Sequence, residues 1–295
     1  MSNFLELCGS GTADAVAAAL LKGENPNTVS TTGCTALLLG VENTADVVAA
    51  LLAAGADPGK KGPKGNTPLM IAIRAGGPDA EEKVRLLLEA GAAVDERNDK
   101  GETALMRTTA RGVDTAVAAL LLEAGADVNA RSDIGTTALL LACAYGSPPS
   151  LIRLLLQAGA DAKTTTDYGV TALVALNYNS LKPEEALEIF PLILHAGAEV
   201  NILDDVTKNT PLINAAKRRA PPEIVAWLLE AGADVNLKAE DSYSAIEWAC
   251  WKGVYPEVAA MLIGAGAVYD REYLLAMARD NVYTGAMVQV LEKIA

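Results

Sequence analysis

The chain has 295 residues, with 24 Lys plus Arg against 37 Asp plus Glu and a formal net charge of −13. That balance repels phosphate backbones, so neither general nucleic-acid binding nor a polybasic membrane anchor is expected. One His and four scattered Cys leave no ligand set for zinc, and 51% apolar residues with only 4% aromatics suit stacked helices.

The first residues, Met1-Ser2-Asn3-Phe4-Leu5-Glu6-Leu7, carry no basic n-region and no long apolar stretch, so no signal peptide is expected. No unbroken apolar run of about 18 residues follows, so no membrane span is expected. Cys8, Cys34, Cys143 and Cys250 lie far apart and form no C-x-x-C pair, which predicts reduced thiols and a cytoplasmic protein.

Two markers then recur in phase along the chain. Thr-Ala-Leu or Thr-Pro-Leu begins at Thr35, Thr67, Thr103, Thr137, Thr171 and Thr210, with Ser244-Ala245-Ile246 as its last form. Gly-Ala follows an apolar pair at Gly55, Gly91, Gly125, Gly159, Gly197, Gly232 and Gly266, at intervals of 34 to 38 residues. The Thr or Ser is a helix N-cap, and Pro68 and Pro211 fit the first helical position. The Gly closes a second helix through a left-handed backbone. Before it, apolar residues fall at i, i+3 and i+4, as in Val84, Leu87 and Leu88 or Val225, Leu228 and Leu229. Each unit therefore reads as short helix, tight loop, second helix, Gly stop and extended loop. No unit can bury its apolar face alone, so the units must stack. The expected architecture is one all-α domain over 1–295, with a capping unit at 1–29, seven repeats at 30–267 and a second cap at 268–295. Met277, Val288, Val290 and Leu291 are expected to form the buried face of that last cap.

The Thr-Pro-Leu box and the tails Gly125-Ala126-Asp127-Val128-Asn129 and Gly232-Ala233-Asp234-Val235-Asn236 resemble the ankyrin repeat. The resemblance covers roughly residues 3–268 and implies a solenoid of helix–turn–helix units with hairpin-like loops. Where the family usually has His, this chain has Leu38, Met70, Met106, Leu140, Val174, Ile213 and Glu247, so apolar packing is expected to replace its hydrogen bonds. Two loops are long, around Gly76–Glu82 and Asn179–Glu185. Lys208 stands where the turn Gly is usual, which predicts an altered hairpin in the sixth repeat.

Residues for catalysis are sparse. His195 precedes Ala196-Gly197 and is expected at an exposed helix end. Cys8, Cys143 and Cys250 each stand three residues before a Gly, at one repeat position, and are expected to be buried core thiols; Cys34 lies beside a loop. Residues Gly59-Lys60-Lys61-Gly62-Pro63-Lys64-Gly65 lack the phosphate-loop spacing and are expected as a solvated hairpin tip. Gly9-Ser10-Gly11 lacks the strand–helix context of a dinucleotide site. No enzyme activity, cofactor or metal is expected.

The resemblance implies a concave groove, lined by hairpin tips and first helices, that binds another protein. Alignment to the family places Arg74, Arg111, Tyr145, Tyr178, Lys217, Arg218, Trp251 and Lys252 on it, with Tyr168 and Tyr243 at hairpin tips. On an acidic chain this row is cationic and aromatic, and Arg, Tyr and Trp dominate binding hot spots. Only Phe4 among the aromatics precedes Tyr145, which places the expected site in the C-terminal half of the groove. Trp248 and Phe190 are expected in the core. The expected partner is an acidic or mixed acidic-apolar polypeptide segment, bound by a monomer. The alternative is an inhibitor or immunity-type protein that covers a basic partner with its acidic surface.

Overall fold

The computed structural model describes residues 3–109, 115–176, 181–252, 255–279 and 284–293. They fall into two compact units, Met1–Asp133 and Ile134–Ala295. Among the described residues the regular structure is helical, apart from isolated antiparallel bridges Val29–Thr35 and Lys238–Ser244.

In the first unit, α1 (Asn3–Ser10), α3 (Ala36–Gly40), α5 (Pro68–Ala75) and α7 (Ala104–Arg107) stack in one layer. The partner helices α2 (Ala13–Leu21), α4 (Ala45–Ala53), α6 (Ala80–Glu89) and α8 (Thr115–Glu123) stack in a second. The second unit repeats the arrangement. Its first layer holds α9 (Ala138–Tyr145), α11 (Ala172–Ala175), α13 (Pro211–Lys217), α15 (Ala245–Lys252) and α17 (Arg271–Arg279). Its second holds α10 (Pro149–Gln157), α12 (Pro183–His195), α14 (Pro222–Glu230), α16 (Pro256–Gly264) and α18 (Thr284–Lys293).

The local chemistry that starts each helix is visible. Thr35, Thr67, Thr137, Thr171 and Thr210 each accept the N–H of the residue three positions on, at 3.1 to 3.4 Å. Such a cap stabilises by about 0.5–2 kcal/mol. Thr103 is the exception: its hydroxyl is buried without a partner. Leu38, Met70, Met106, Leu140, Val174 and Ile213 are all buried, so apolar packing fills the position that the family gives to His. Glu247, the polar member of that row, instead accepts the Ser244 N–H at 2.6 Å and its hydroxyl at 2.8 Å.

Adjacent hairpin tips are tied by backbone bonds: Asp99 N–H donates to Lys64 O at 3.1 Å and Asp133 N–H to Lys100 O at 3.0 Å. A Cβ on Gly65 or Gly101 would collide with the following Asp99 or Asp133, and both glycines have positive φ. The turn glycine is thus required twice, by its own backbone and by its neighbour's approach. In the hairpin before α13 Lys208 takes the same left-handed backbone, with φ 53°. Buried Asp204 rebuilds the turn there, its carboxylate accepting the N–H groups of Val206, Thr207 and Asn209 and the Thr207 hydroxyl.

The long loops also gain anchors. Lys83, only 2% exposed, donates from Nζ to Asn43 O at 2.6 Å and pairs with Asp79 at 3.0 Å. Asp79 in turn accepts the Ala45 N–H at 2.8 Å, and Asn43 Nδ2 donates to Gly11 O at 2.8 Å. This polar relay runs across three successive inter-helix loops. At the start of α12, Glu185 accepts the Lys182 N–H at 2.9 Å.

The last cap departs from expectation. Met287 and Leu291 are its fully buried α18 residues, with Leu274, Leu275 and Ala278 from α17; Met277, Val288 and Val290 are half-buried. Leu291 is buried as expected, and α18 packs on both α16 and α17 with Met287, rather than Val288 or Val290, as its second buried residue.

Candidate functional site

The second unit gathers aromatic and cationic side chains where α13, α15 and the hairpin before α15 meet. Trp248 and Trp251 are three residues apart on α15 and so share a helix face. Their rings stack with centroids 4.9 Å apart and planes at 28°. Tyr243, from the hairpin tip, meets Trp248 edge-on at 5.6 Å and 75°, and Trp251 at 6.0 Å. Trp248 is buried at 6% exposure, whereas Trp251 is 43% exposed. The buried Trp248 Nε1–H has no hydrogen-bond partner.

Two lysines lie on this stack. Lys217 Nζ, from the end of α13, is 4.3 Å from the Trp248 ring centroid and 3.8 Å from an Asp241 carboxylate oxygen. Lys252 Nζ is 5.0 Å from the Trp251 centroid and 5.5 Å from that of Trp248. An ammonium over an indole face is attracted by the ring quadrupole. No carboxylate among the described residues pairs with Lys252. A shallow cleft beside the cluster is lined by Thr207, Lys217, Glu240 and Asp241. Tyr273 of α17 borders the group from the other side. Its hydroxyl pKa is pushed up, first by a hydrogen bond with Tyr243 and then by burial and the nearby charge of Glu247.

The other expected residues take separate places. Arg218 is half-buried and its Nη1 donates to Leu176 O at 3.5 Å, beside buried Asn214, whose Nδ2 donates to Val174 O at 3.1 Å. Tyr145 and Tyr168 are 52% and 51% exposed, at the end of α9 and at a hairpin tip. Arg74 belongs to the first unit, where it pairs with Glu42 at 2.6 Å across neighbouring repeats. That pair edges an open cleft lined also by Cys34, Leu38, Pro63 and Ile71. Arg111 and Tyr178 lie outside the described residues.

Trp248 is the residue that sequence reasoning undervalues. It is buried, as expected of core, yet it is the floor on which Tyr243, Trp251 and both lysines rest. Asp241, the carboxylate that orients Lys217, carried no expectation. Three-residue spacing from Trp251 was the available signal for Trp248. The tip residues Ile134 and Val206, 51% and 57% exposed, were likewise missed.

The remaining candidates hold no chemistry of that kind. Burial pushes the Cys8 thiol up to about 11 and the Cys143 and Cys250 thiols up to about 12. His195 is exposed at the end of α12. The Lys-rich tip is solvated, with Lys61 paired to Glu96 at 2.6 Å. No group of three metal-ligating side chains occurs among the described residues. The described helices include none long and apolar enough to cross a membrane.

Family models for ankyrin repeats match the chain over most of its length: one built on three copies matches residues 41–132 and 176–272, and one built on many copies matches 110–156. No curated protein matches the chain significantly.

Proposed function

Because the chain belongs to the ankyrin-repeat family, we propose that it is a non-catalytic module that grips a partner polypeptide with the hairpin tips and first helices of its second unit. Ankyrin repeats are general protein-interaction modules. The observation that supports this particular face is the Tyr243–Trp248–Trp251 stack with Lys217 and Lys252 upon it. Flat ring area, ammonium charge and a carboxylate rim are groups for recognition, and aromatic residues are the commonest hot-spot anchors. The proposed setting is a monomer in the reducing cytoplasm, and the proposed ligand is an acidic or mixed acidic-apolar segment.

Affinity capture from native lysate tests the reading, run beside a variant with Tyr145, Tyr178, Arg218 and Trp251 all replaced by Ala. A folded variant that loses the captured partner supports it; a folded variant that retains the partner removes it. The net charge of −13 favours a second reading, in which the acidic exterior covers a basic partner. Capture that weakens steeply with salt and ignores the quadruple variant selects that one.

A further inference from the structure

Three successive hairpins of the second unit carry exposed apolar groups near their tips: Ile134, then Tyr168, then Val206 with Leu203 behind it. The tips are held edge to edge, Asp167 N–H donating to Ile134 O at 3.1 Å, Asp205 N–H to Tyr168 O at 2.8 Å and Glu240 N–H to Thr207 O at 3.0 Å. After this apolar file comes the cationic stack of Lys217, Trp251 and Lys252. Resting on the interaction reading above, we infer that the ligand is an extended acidic peptide with apolar side chains three residues apart and a carboxylate at the end that reaches Lys252.

The spacing follows from two lengths. The first helices α9, α11, α13 and α15 touch in succession, and touching helices lie about 8–10 Å apart. A polyproline II chain, an extended form with three residues per turn, rises about 3.1 Å per residue, so about three residues advance it by one repeat and every third side chain faces the same way. A helical ligand rises about 5.4 Å per turn. Every second anchor of such a helix would fall between successive tips. The carboxylate follows from charge: Lys217 has Asp241 at 3.8 Å, while Lys252 rests on indole faces with no carboxylate partner among the described residues. A segment's Asp or Glu completes that pair beside the exposed Trp251 ring.

A library of random 12-residue peptides displayed on phage tests this, panned on the full-length protein and counter-panned on Trp251→Ala/Lys252→Glu. Enriched peptides are expected to show apolar residues at i, i+3 and i+6 and an acidic residue at one end. A synthetic enriched peptide should bind Lys252→Glu about tenfold more weakly than the wild type, and its Asp/Glu→Lys counterpart should recover affinity on that variant. Lys252→Glu alone serves for counter-panning if the double variant fails to fold. Basic peptides, a seven-residue helical period, or no enrichment dependent on Lys252 overturns the inference. If capture of the native partner still requires the face residues in that case, the interaction reading stands and only the ligand's chemistry falls.

Discussion

Lys217 and Trp248 belong to successive repeats, and the Lys217 ammonium lies 4.3 Å from the centre of the Trp248 ring. The contact does two things at once. It fastens α13 to α15, and it holds a positive charge against the ring on which Tyr243 and Trp251 pack. Lys217→Met keeps most of the apolar stem and removes the charge. Stability should fall by about 0.5–1 kcal/mol, the worth of a half-exposed cation–π contact. Urea unfolding followed by tryptophan emission measures it, and a wild-type midpoint would show the stack to be mere proximity.

The polar relay of the first unit depends on Lys83. With only 2% exposure, its loss strands the Asn43 carbonyl and the Asp79 carboxylate. Lys83→Met should cost roughly 2–3 kcal/mol, below the range for a fully buried pair because Asp79 is partly solvated. Chemical denaturation of the variant checks the figure.

Acid should weaken the same relay. Burial alone would raise the Asp79 pKa, but the Lys83 hydrogen bond, the Ala45 N–H and the Lys83 charge outweigh it and hold the carboxyl below its ordinary value. A depressed folded-state value adds stability above the unfolded carboxylate pKa of about 3.9, and that addition is lost as pH falls through the folded value. The stability gap between wild type and Asp79→Asn should therefore be widest at neutral pH and close below about pH 4. A gap that is flat with pH would mean that the carboxylate charge is not what the relay uses.

The hairpin turns make paired predictions of opposite sign. Gly101→Ala puts a Cβ on a residue with φ 69° and drives it into Asp133, so about 2 kcal/mol should be lost. Lys208→Gly relaxes the left-handed backbone at φ 53° and should gain about 0.5–1 kcal/mol. Thermal melts of the two variants should move in opposite directions.

The inter-repeat clasp can be improved at one position. Asn27, Asn201 and Asn236 each donate from Nδ2 to a glycine carbonyl of the next repeat, Gly55, Gly232 and Gly266, at 2.9 to 3.3 Å. Each also accepts a backbone N–H there, at 2.8 Å. Asp95 stands in the same place and accepts the Asp127 N–H at 3.0 Å, but a carboxylate has no proton to donate to Gly125 O. Asp95→Asn should supply the missing bond and about 0.5–1 kcal/mol. An unchanged denaturation midpoint would count against the clasp.

Thiol chemistry should single out one cysteine. Cys8, Cys143 and Cys250 are buried with pKa values pushed up to about 11, 12 and 12, whereas Cys34 is half-buried beside an open cleft. The thiolate is the reactive form. At neutral pH the folded chain should react with a disulfide reagent at Cys34 alone, and at all four positions in denaturant. Rapid native labelling at Cys143 would mean that α9 opens readily.

The stacked helical hairpins are legible from residues alone because capping and left-handed stops are local chemistry. Thr35 and Thr67 announce helix starts, and Gly91 and Gly125 announce stops, whatever surrounds them. The same reasoning stalls where a local signal is shared by different outcomes. Thr103 reads like its counterparts, yet its hydroxyl is buried without a partner. Lys83 carries no local mark of burial, since its partners come from residues about 40 positions away and from its own preceding turn. At Lys208 the missing Gly is plain, but the Asp204 turn that replaces it is visible only once the chain has folded back on itself.

The amino-acid order by itself determined the repeat, the helix starts and stops, the buried stripe of the repeats and the cationic and aromatic bias of one half of the chain. Only the tertiary structure decided which of those side chains meet. It brought Lys217, Tyr243, Trp251 and Lys252 onto the Trp248 ring and left Arg74 paired with Glu42 in the other unit. The physical reason is range. Capping and periodicity act over a few bonds, while ring stacking and ion pairing depend on the register between repeats, which is set by how whole helices pack.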